Sequence, residues 1–269
     1  MSLWQYACIL LPTGTILWKT NAAAKCWMKF SVFTLCCVSS CMMIPLWLVR
    51  PKNSKNALLP SMGFRAACKI LGLKYTIEGK ENIVRESGSV VLINHQSVLD
   101  LIVLSHLWPV LPKCTVISKK EMMYYQPFGL AFWLCGAIFI DRSKSSEAQS
   151  VINKTGEIIR KRKARVLMFP EGTRNTGKRL LPFKKGAFHL AVASQCPIQP
   201  IAVSRYTFLA PNKFEDGEIK IRILPAIPTK GCSVEDIPRL IDEAYKAMSE
   251  NVEHLESLVT DKVERRSKL

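Results

Sequence analysis

The first 77 residues of the chain contain no aspartate and no glutamate, although they hold nine lysine and arginine residues. The same region is strongly apolar, and no charged residue interrupts residues 30–49. Twenty helical residues span about 30 Å, which is the thickness of the hydrocarbon core of a bilayer. We therefore predict a membrane-embedded helical segment with its main span at residues 30–49, flanked by cations that suit anionic lipid headgroups.

Two chemical signatures are also missing. The ten cysteines form no Cys-x-x-Cys pair, and none of the four histidines has a zinc-like spacing to cysteine. We expect no metal site, and we expect buried thiols in a reducing compartment. No Gly-x-Ser-x-Gly elbow exists, so the chain offers no obvious serine nucleophile for an acyl-enzyme intermediate.

The net charge of +17 would ordinarily suggest a nucleic acid partner. Here the region without acidic residues is also the apolar one, so a lipid surface fits the charge better, and we expect no nucleic acid partner. Salt-dependent binding to duplex DNA would be the observation that revives the nucleic acid alternative.

A second apolar stretch, residues 3–18, is interrupted by Gln5, Pro12 and Gly14. It could be a short span, an interfacial segment or a signal sequence, and the three alanines at residues 22–24 resemble a cleavage site. Three lysines precede the main span and four basic residues follow it, a slight excess that predicts a cytosolic position for the folded part.

Beyond residue 60, strand-like and helix-like runs alternate. Predicted strands cover residues 90–94, 115–118, 137–141, 166–169, 198–203 and 219–223, and predicted helices cover 63–73, 98–108, 127–134, 147–161 and 183–194. This alternation predicts an α/β fold with a mostly parallel sheet flanked by helices. We divide the chain into a membrane segment with linker (1–60), an α/β domain (61–233) and an amphipathic helix with a charged tail (234–269).

The segment Asn-His-Gln-Ser-Val-Leu-Asp at residues 94–100 joins a predicted strand to a predicted helix. Residues five apart in a regular helix point in different directions, so His95 can reach Asp100 only from just outside the helix, with Ser97 as the predicted N-cap. A carboxylate that holds one ring nitrogen leaves the other basic, ready to accept a proton from a hydroxyl. The plainer alternative is that Asp100 caps the helix and His95 is a polar loop residue.

Three further segments follow in order: GAIFIDR at 136–142, FPEGTRN at 169–175 and PIQPI at 197–201. Together with the His-x4-Asp element they resemble the four motif blocks of the glycerolipid acyltransferases. The similarity covers residues 88–206 and is greatest to the lysophosphatidic acid (1-acylglycerol-3-phosphate) acyltransferases of eukaryotes. In that resemblance Pro200 lies on the fourth block, which is the loosest match.

The resemblance implies transfer of an acyl group from acyl-coenzyme A, a co-substrate, to lysophosphatidic acid, with no other cofactor. It implies His95 as the general base and Asp100 as its orienting partner, in an enzyme of the endoplasmic reticulum membrane. Because no serine nucleophile is evident, direct attack of the acceptor hydroxyl on the thioester is the simpler mechanism. Glycerol 3-phosphate or another lysophospholipid remains open as the acceptor, and so does a non-catalytic lipid-surface binding protein.

The block at residues 171–174 follows a predicted buried strand, at the sheet edge where open α/β sheets bind ligands. The resemblance implies that Arg142, Glu171, Gly172 and Arg174 lie on the blocks that hold the glycerol phosphate of the acceptor, and the full set of predicted substrate-binding residues adds Thr173, Lys184 and Lys185. Arginine offers a planar fork that matches phosphate oxygens. An ionised Glu171 repels phosphate, so we expect it to orient an arginine or the acceptor hydroxyl. The alternative is a structural ion pair between Glu171 and Arg142 or Arg174.

A nucleotide-binding loop competes for the same segment, because Gly172, Gly177 and Lys178 match most of a P-loop. Arg179 stands where a serine or threonine should bind magnesium, and Pro182 interrupts the helix that should follow. ATP binding is therefore disfavoured.

Overall fold

Seven strands form one sheet in the order β1-β9-β6-β2-β5-β3-β4. They are β1 (Leu73–Glu78), β2 (Ser89–Ile93), β3 (Cys114–Lys119), β4 (Ile138–Ile140), β5 (Arg165–Met168), β6 (Ile198–Val203) and β9 (Gly217–Ile223). Within the described part of this sheet β6 and β9 pair antiparallel and the other strand pairs are parallel, and a separate antiparallel hairpin joins β7 (Leu209–Ala210) to β8 (Lys213–Phe214). This computed structural model describes residues 21–140 and 145–267, without the side chains of residues 145–151, 154 and 261–267.

Helices cover both faces of the sheet. They are α1 (Ala22–Cys41), α2 (Ile44–Trp47), α3 (Leu58–Ile70), α4 (Asp100–Leu107), α5 (Phe128–Leu134), α6 (Ser145–Arg162), α7 (Gly186–Ser194) and α8 (Ile237–Ser267). Strand β2 is buried along its whole length, with Val91 and Ile93 in one apolar layer and Val90 and Leu92 in the other. Burial on both faces is what a continuous apolar run in a parallel sheet predicts, and the α/β fold with a mostly parallel sheet is confirmed.

The N-terminal helix differs from the predicted main span at residues 30–49. Helix α1 begins at Ala22, because the side chain of Asn21 accepts hydrogen bonds from the backbone N–H groups of Ala23 and Ala24. It ends at Cys41, and Pro45, which has no N–H group, stands at the start of the separate helix α2. Among the described helices, α1 is long and apolar enough to cross a membrane, judged by length and composition alone.

One face of α1 docks on the rest of the protein. Its buried residues recur at helical intervals and face α3 and β8: Cys26, Lys29, Phe33, Cys37 and Cys41. The ammonium of Lys29 is fully buried and donates to Asp216 Oδ1 at 2.7 Å. Large apolar side chains elsewhere on α1 are exposed, among them Trp27 and Leu35. The helix therefore has a docked face and an exposed apolar face.

The C-terminal helix confirms the amphipathic pattern. Seven apolar residues at helical intervals along α8 are buried: Ile237, Leu240, Ala244, Met248, Val252, Leu255 and Val259. They pack toward β6, β9 and α7. Strand β1, which pairs in parallel with β9, and the hairpin of β7 and β8 were not predicted. Helix α3 begins at Leu58 and ends at Ile70, whereas the predicted helix covered residues 63–73. The apolar stretch at residues 3–18 lies outside the described residues.

Candidate active site

The candidate site lies where the three central strands β6, β2 and β5 end side by side. Because these strands are parallel, the segments after Ile93, Met168 and Val203 emerge at one edge of the sheet. The side chain of Asn94 donates to the carbonyl of Val203 at 3.0 Å and accepts from its N–H group at 2.9 Å. This exchange fixes the loop that carries His95 against the end of β6.

The predicted contact between imidazole and carboxylate is present. His95 Nδ1 lies 2.5 Å from Asp100 Oδ2, and the same oxygen accepts from the N–H groups of Gln96 at 2.8 Å and Ser97 at 3.3 Å. Since the carboxylate bonds those amides, helix α4 begins only at Asp100. The predicted Ser97 N-cap is therefore wrong, because Leu99 occupies the cap position and Asp100 both bonds the loop and holds the histidine.

A tyrosine that sequence reasoning missed completes the environment of the carboxylate. Tyr206 Oη donates to Asp100 Oδ1 at 2.6 Å, and its backbone N–H donates to the side chain of Gln96 at 3.2 Å. Burial, together with the negative charge of Asp100 and this hydrogen bond, raises the pKa of Tyr206 well above its usual value. The hydroxyl therefore remains a donor throughout the physiological pH range.

The histidine itself is partly accessible. Its side chain is 21% exposed, whereas that of Asp100 is 6% exposed. The ring of His95 stacks on Phe169, with centroids 4.0 Å apart and planes 20° from parallel. With Nδ1 held by Asp100, Nε2 is the nitrogen left for a substrate hydroxyl, which is the arrangement a general base needs.

Glu171 ties the third motif block to the first. Its buried carboxylate accepts from the backbone N–H of His95 at 2.9 Å, from the side chain of Asn175 at 2.8 Å and from the backbone N–H of Leu181 at 2.9 Å. The N–H of Asn175 in turn donates to the carbonyl of His95 at 2.9 Å. Within the described residues Glu171 forms no ion pair with Arg174, and Arg142 lies outside those residues. The contacts that the carboxylate does make hold the backbone of His95 in place.

Gly172 sits where a side chain would not fit. Its φ of +72° is in the left-handed region, and a Cβ there would lie 2.7 Å from Lys184 Cδ. The backbone N–H of Lys184 donates to the carbonyl of Pro170 at 2.8 Å. The side chain of Lys184, a predicted substrate-binding residue, therefore packs against the backbone of Gly172.

The other residues predicted for the site have no described contact with His95 or Asp100, or lie outside the described residues. Thr173, Arg174 and Lys185 are exposed, and Arg142 lies outside the described residues. Pro200 of the fourth block is buried in β6 opposite Leu92 rather than in a turn. The fourth block therefore contributes to the core of the sheet.

An apolar cavity of about 120 Å³ adjoins the helix that begins at Asp100. Its walls come from α1, α3, α4 and α5 and include Cys37, Phe64, Leu101, Leu104 and Phe128. No charged side chain is among the residues that line it. The cavity therefore suits a hydrocarbon group.

Comparison with known proteins gives the same picture. Residues 74–204 match the family model described as acyltransferase. Human 1-acyl-sn-glycerol-3-phosphate acyltransferase alpha is 35% identical over 243 residues, which are 89% of this chain and 84% of the relative. The human beta form is 32% identical over 261 residues, covering 95% and 93%.

A solved structure shares the fold. The crystal structure of the 1-acyl-sn-glycerophosphate (LPA) acyltransferase PlsC from Thermotoga maritima matches with a TM-score of 0.64 and 21% identity, covering 84% of this chain and 96% of that one. Fold and site together define an acyltransferase. More particularly, the chain belongs to the family of 1-acyl-sn-glycerol-3-phosphate acyltransferases.

Proposed function

We propose that this protein transfers an acyl group from acyl-coenzyme A to lysophosphatidic acid and so forms phosphatidic acid. The observation that carries the proposal is the 2.5 Å contact between His95 Nδ1 and Asp100, at the sheet edge where ligands of such folds bind. The names of the related proteins supply the acceptor, and the histidine with its carboxylate supplies the base.

The chemistry follows from that pair. His95 Nε2 accepts the proton of the acceptor hydroxyl while the hydroxyl oxygen attacks the thioester carbonyl carbon. Asp100 stabilises the positive charge that forms on the imidazole. The carbon–sulfur bond then breaks, and the proton on His95 passes to the departing coenzyme A thiolate. No cofactor beyond the two substrates enters this scheme.

Substrate groups are assigned by chemistry. The side chain of Lys184 packs across Gly172, and Arg174 and Lys185 are exposed. We assign these three cations, with Arg142 and Thr173 of the motif blocks, to the site for the glycerol phosphate of the acceptor, and Glu171 to holding the loop of His95. The apolar cavity beside α4 is assigned to part of an acyl chain.

The exposed apolar face supports attachment to a membrane. Beyond Trp27 and Leu35 it continues through Met42 and Leu46 to Val49, and basic residues follow directly at Arg50 and Lys52. We assign this surface to contact with a lipid bilayer, with the endoplasmic reticulum as the membrane and the catalytic part on the cytosolic side.

The test is acyl transfer by the detergent-solubilised protein, with lysophosphatidic acid and labelled oleoyl-coenzyme A. His95→Ala should lose about 10²-fold or more of the activity, because a general base contributes about 10²–10⁴-fold. His254→Ala, at an exposed position on α8, is the matched control and should retain full activity.

Equal phosphatidic acid from wild type and His95→Ala would remove His95 from the mechanism. No product from folded wild type would direct the search first to glycerol 3-phosphate and other lysophospholipids as acceptors. Failure with all of them would favour a non-catalytic protein that binds lipid surfaces.

A further inference from the structure

A second pocket, of about 190 Å³, adjoins the loop after His95. It lies between Gln96 and Ser97, the loop at residues 176–178, the segment at 205–209, and Glu256 on α8. Pockets that hold whole small molecules measure about 300–1,000 Å³. This pocket therefore has room for one chemical group of a larger molecule that extends past His95.

The wall of the pocket contains a buried arginine with unused hydrogen-bonding capacity. Arg205 is 6% exposed, and its two terminal nitrogens donate to the carbonyls of Asn175 at 3.1 Å and Lys178 at 3.5 Å. Its Nε is buried and has no hydrogen-bond partner within the described part of the chain. Buried donors are nearly always paired, by protein groups or by water, so the Arg205 guanidinium has the capacity to donate to one further acceptor.

The charge of Arg205 is also incompletely balanced. Burial lowers its pKa, while the negative charges of Glu171 and Glu256 raise it, yet neither carboxylate comes within ion-pair distance of the guanidinium. Lys178 and Glu256, which carry opposite charges, also line the pocket. A buried cation without a paired anion is costly, and binding of an anion would offset that cost.

We propose that this Arg205 pocket binds a phosphate group of a substrate, an inference that rests on the proposed function. The hydroxyl groups of Ser97, Thr176 and Thr207 also line the pocket and can donate to phosphate oxygens. Both proposed substrates carry phosphate: the acceptor has its glycerol phosphate, and the donor has the phosphates of coenzyme A. Because Gln96 and Ser97 directly follow His95, a phosphate bound here belongs to a molecule positioned beside the proposed base.

The test compares wild type with Arg205→Gln and Arg205→Lys in steady-state kinetics. Lysophosphatidic acid is varied at saturating oleoyl-coenzyme A, and then oleoyl-coenzyme A is varied at saturating lysophosphatidic acid. Arg205→Gln should raise one of the two KM values about tenfold or more, with a smaller change in kcat, because a hydrogen bond to a charged group is lost. Arg205→Lys should recover part of the loss. The substrate whose KM rises is the source of the phosphate.

Arg205 could instead act only by holding the loop at 175–178. Substrates without phosphate distinguish this structural role from phosphate binding. Monoacylglycerol replaces the acceptor and oleoyl-N-acetylcysteamine replaces the donor, whichever the kinetics implicate. With that substrate Arg205→Gln should match wild type in kcat/KM. An equal loss with and without the phosphate, or two unchanged KM values, would overturn the proposal.

Ligand-induced thermal stabilisation gives a readout without catalysis. Coenzyme A or glycerol 3-phosphate should raise the Tm of wild type more than the Tm of Arg205→Gln. If wild type makes no phosphatidic acid but still shows this Arg205-dependent stabilisation, the proposed function fails and the phosphate pocket stands. Equal stabilisation of both proteins by both probes would refute the pocket, whatever the activity.

Discussion

Replacing Tyr206 with phenylalanine isolates one hydroxyl group that touches Asp100 and no other described side chain. The hydroxyl donates to Asp100 Oδ1 at 2.6 Å inside the core. Hydrogen bonds to charged groups contribute about 1.5–3 kcal/mol. For a protein of this size 1 kcal/mol corresponds to about 2–4 °C, so Tm should fall by roughly 3–12 °C.

Loss of the hydrogen bond from Tyr206 to Asp100 should also lower the catalytic rate. If all of that energy were lost from the transition state, kcat would fall by at most about 150-fold. Three N–H donors still hold Asp100 Oδ2 in Tyr206→Phe, so we expect a decrease of about tenfold with little change in KM.

Tyr245→Phe is the matched control. The hydroxyl of Tyr245 donates to the carbonyl of Leu180 at 3.0 Å, away from the histidine and its carboxylate. It should lower Tm by less, because the acceptor is neutral, and it should leave kcat unchanged. A Tyr206→Phe protein that loses stability but keeps the wild-type kcat would refute the reasoning.

Three further substitutions test the surrounding structure. Glu171→Gln should lower the free energy of unfolding by about 1–3 kcal/mol, because the new amide NH₂ would face an N–H group that donates to the carboxylate in wild type. Denaturant titration measures this loss, and an unchanged midpoint would contradict the prediction. Gly172→Ala should cost about 1–2 kcal/mol and reduce acyl transfer, whereas Gly186→Ala, where a Cβ meets no atom within 4 Å, should do neither. Asp216→Asn should destabilise the docking of α1 by about 1 kcal/mol or less, because the Asp216 side chain is 67% exposed and solvent screens its attraction to Lys29. Faster limited proteolysis of that helix is the measurement.

Much of the fold could be predicted because its central strands are buried on both faces and its last helix has a clear apolar stripe. Strand 198–203 matches the predicted range residue for residue. The start of α1 was missed because a search for uncharged residues stops at Lys29, whereas the helix begins at the Asn21 cap and buries that lysine. Strand β1 was missed because half of it is exposed, so it lacks a continuous apolar run.

The candidate site likewise contains contacts that the sequence predicts and contacts that it does not. The contact between His95 and Asp100 could be predicted because the two residues are close in sequence and their spacing allows only one kind of junction. Tyr206 is 106 residues from Asp100, and Glu171 bonds the backbone of His95 across 76 residues. The spacing of residues along the sequence cannot predict such contacts. They form because β6, β2 and β5 lie side by side in the sheet.

The ion pair between the buried Lys29 and the exposed Asp216 has a mechanical consequence. A flexible linker would let the catalytic part rise and fall relative to an anchoring helix, but Lys29 lies within the helix and is fixed to the segment before β9. The helix and the sheet therefore move as one body. If the exposed apolar face of α1 settles in a bilayer as proposed, the depth of that face sets the height of His95 above the lipid chains.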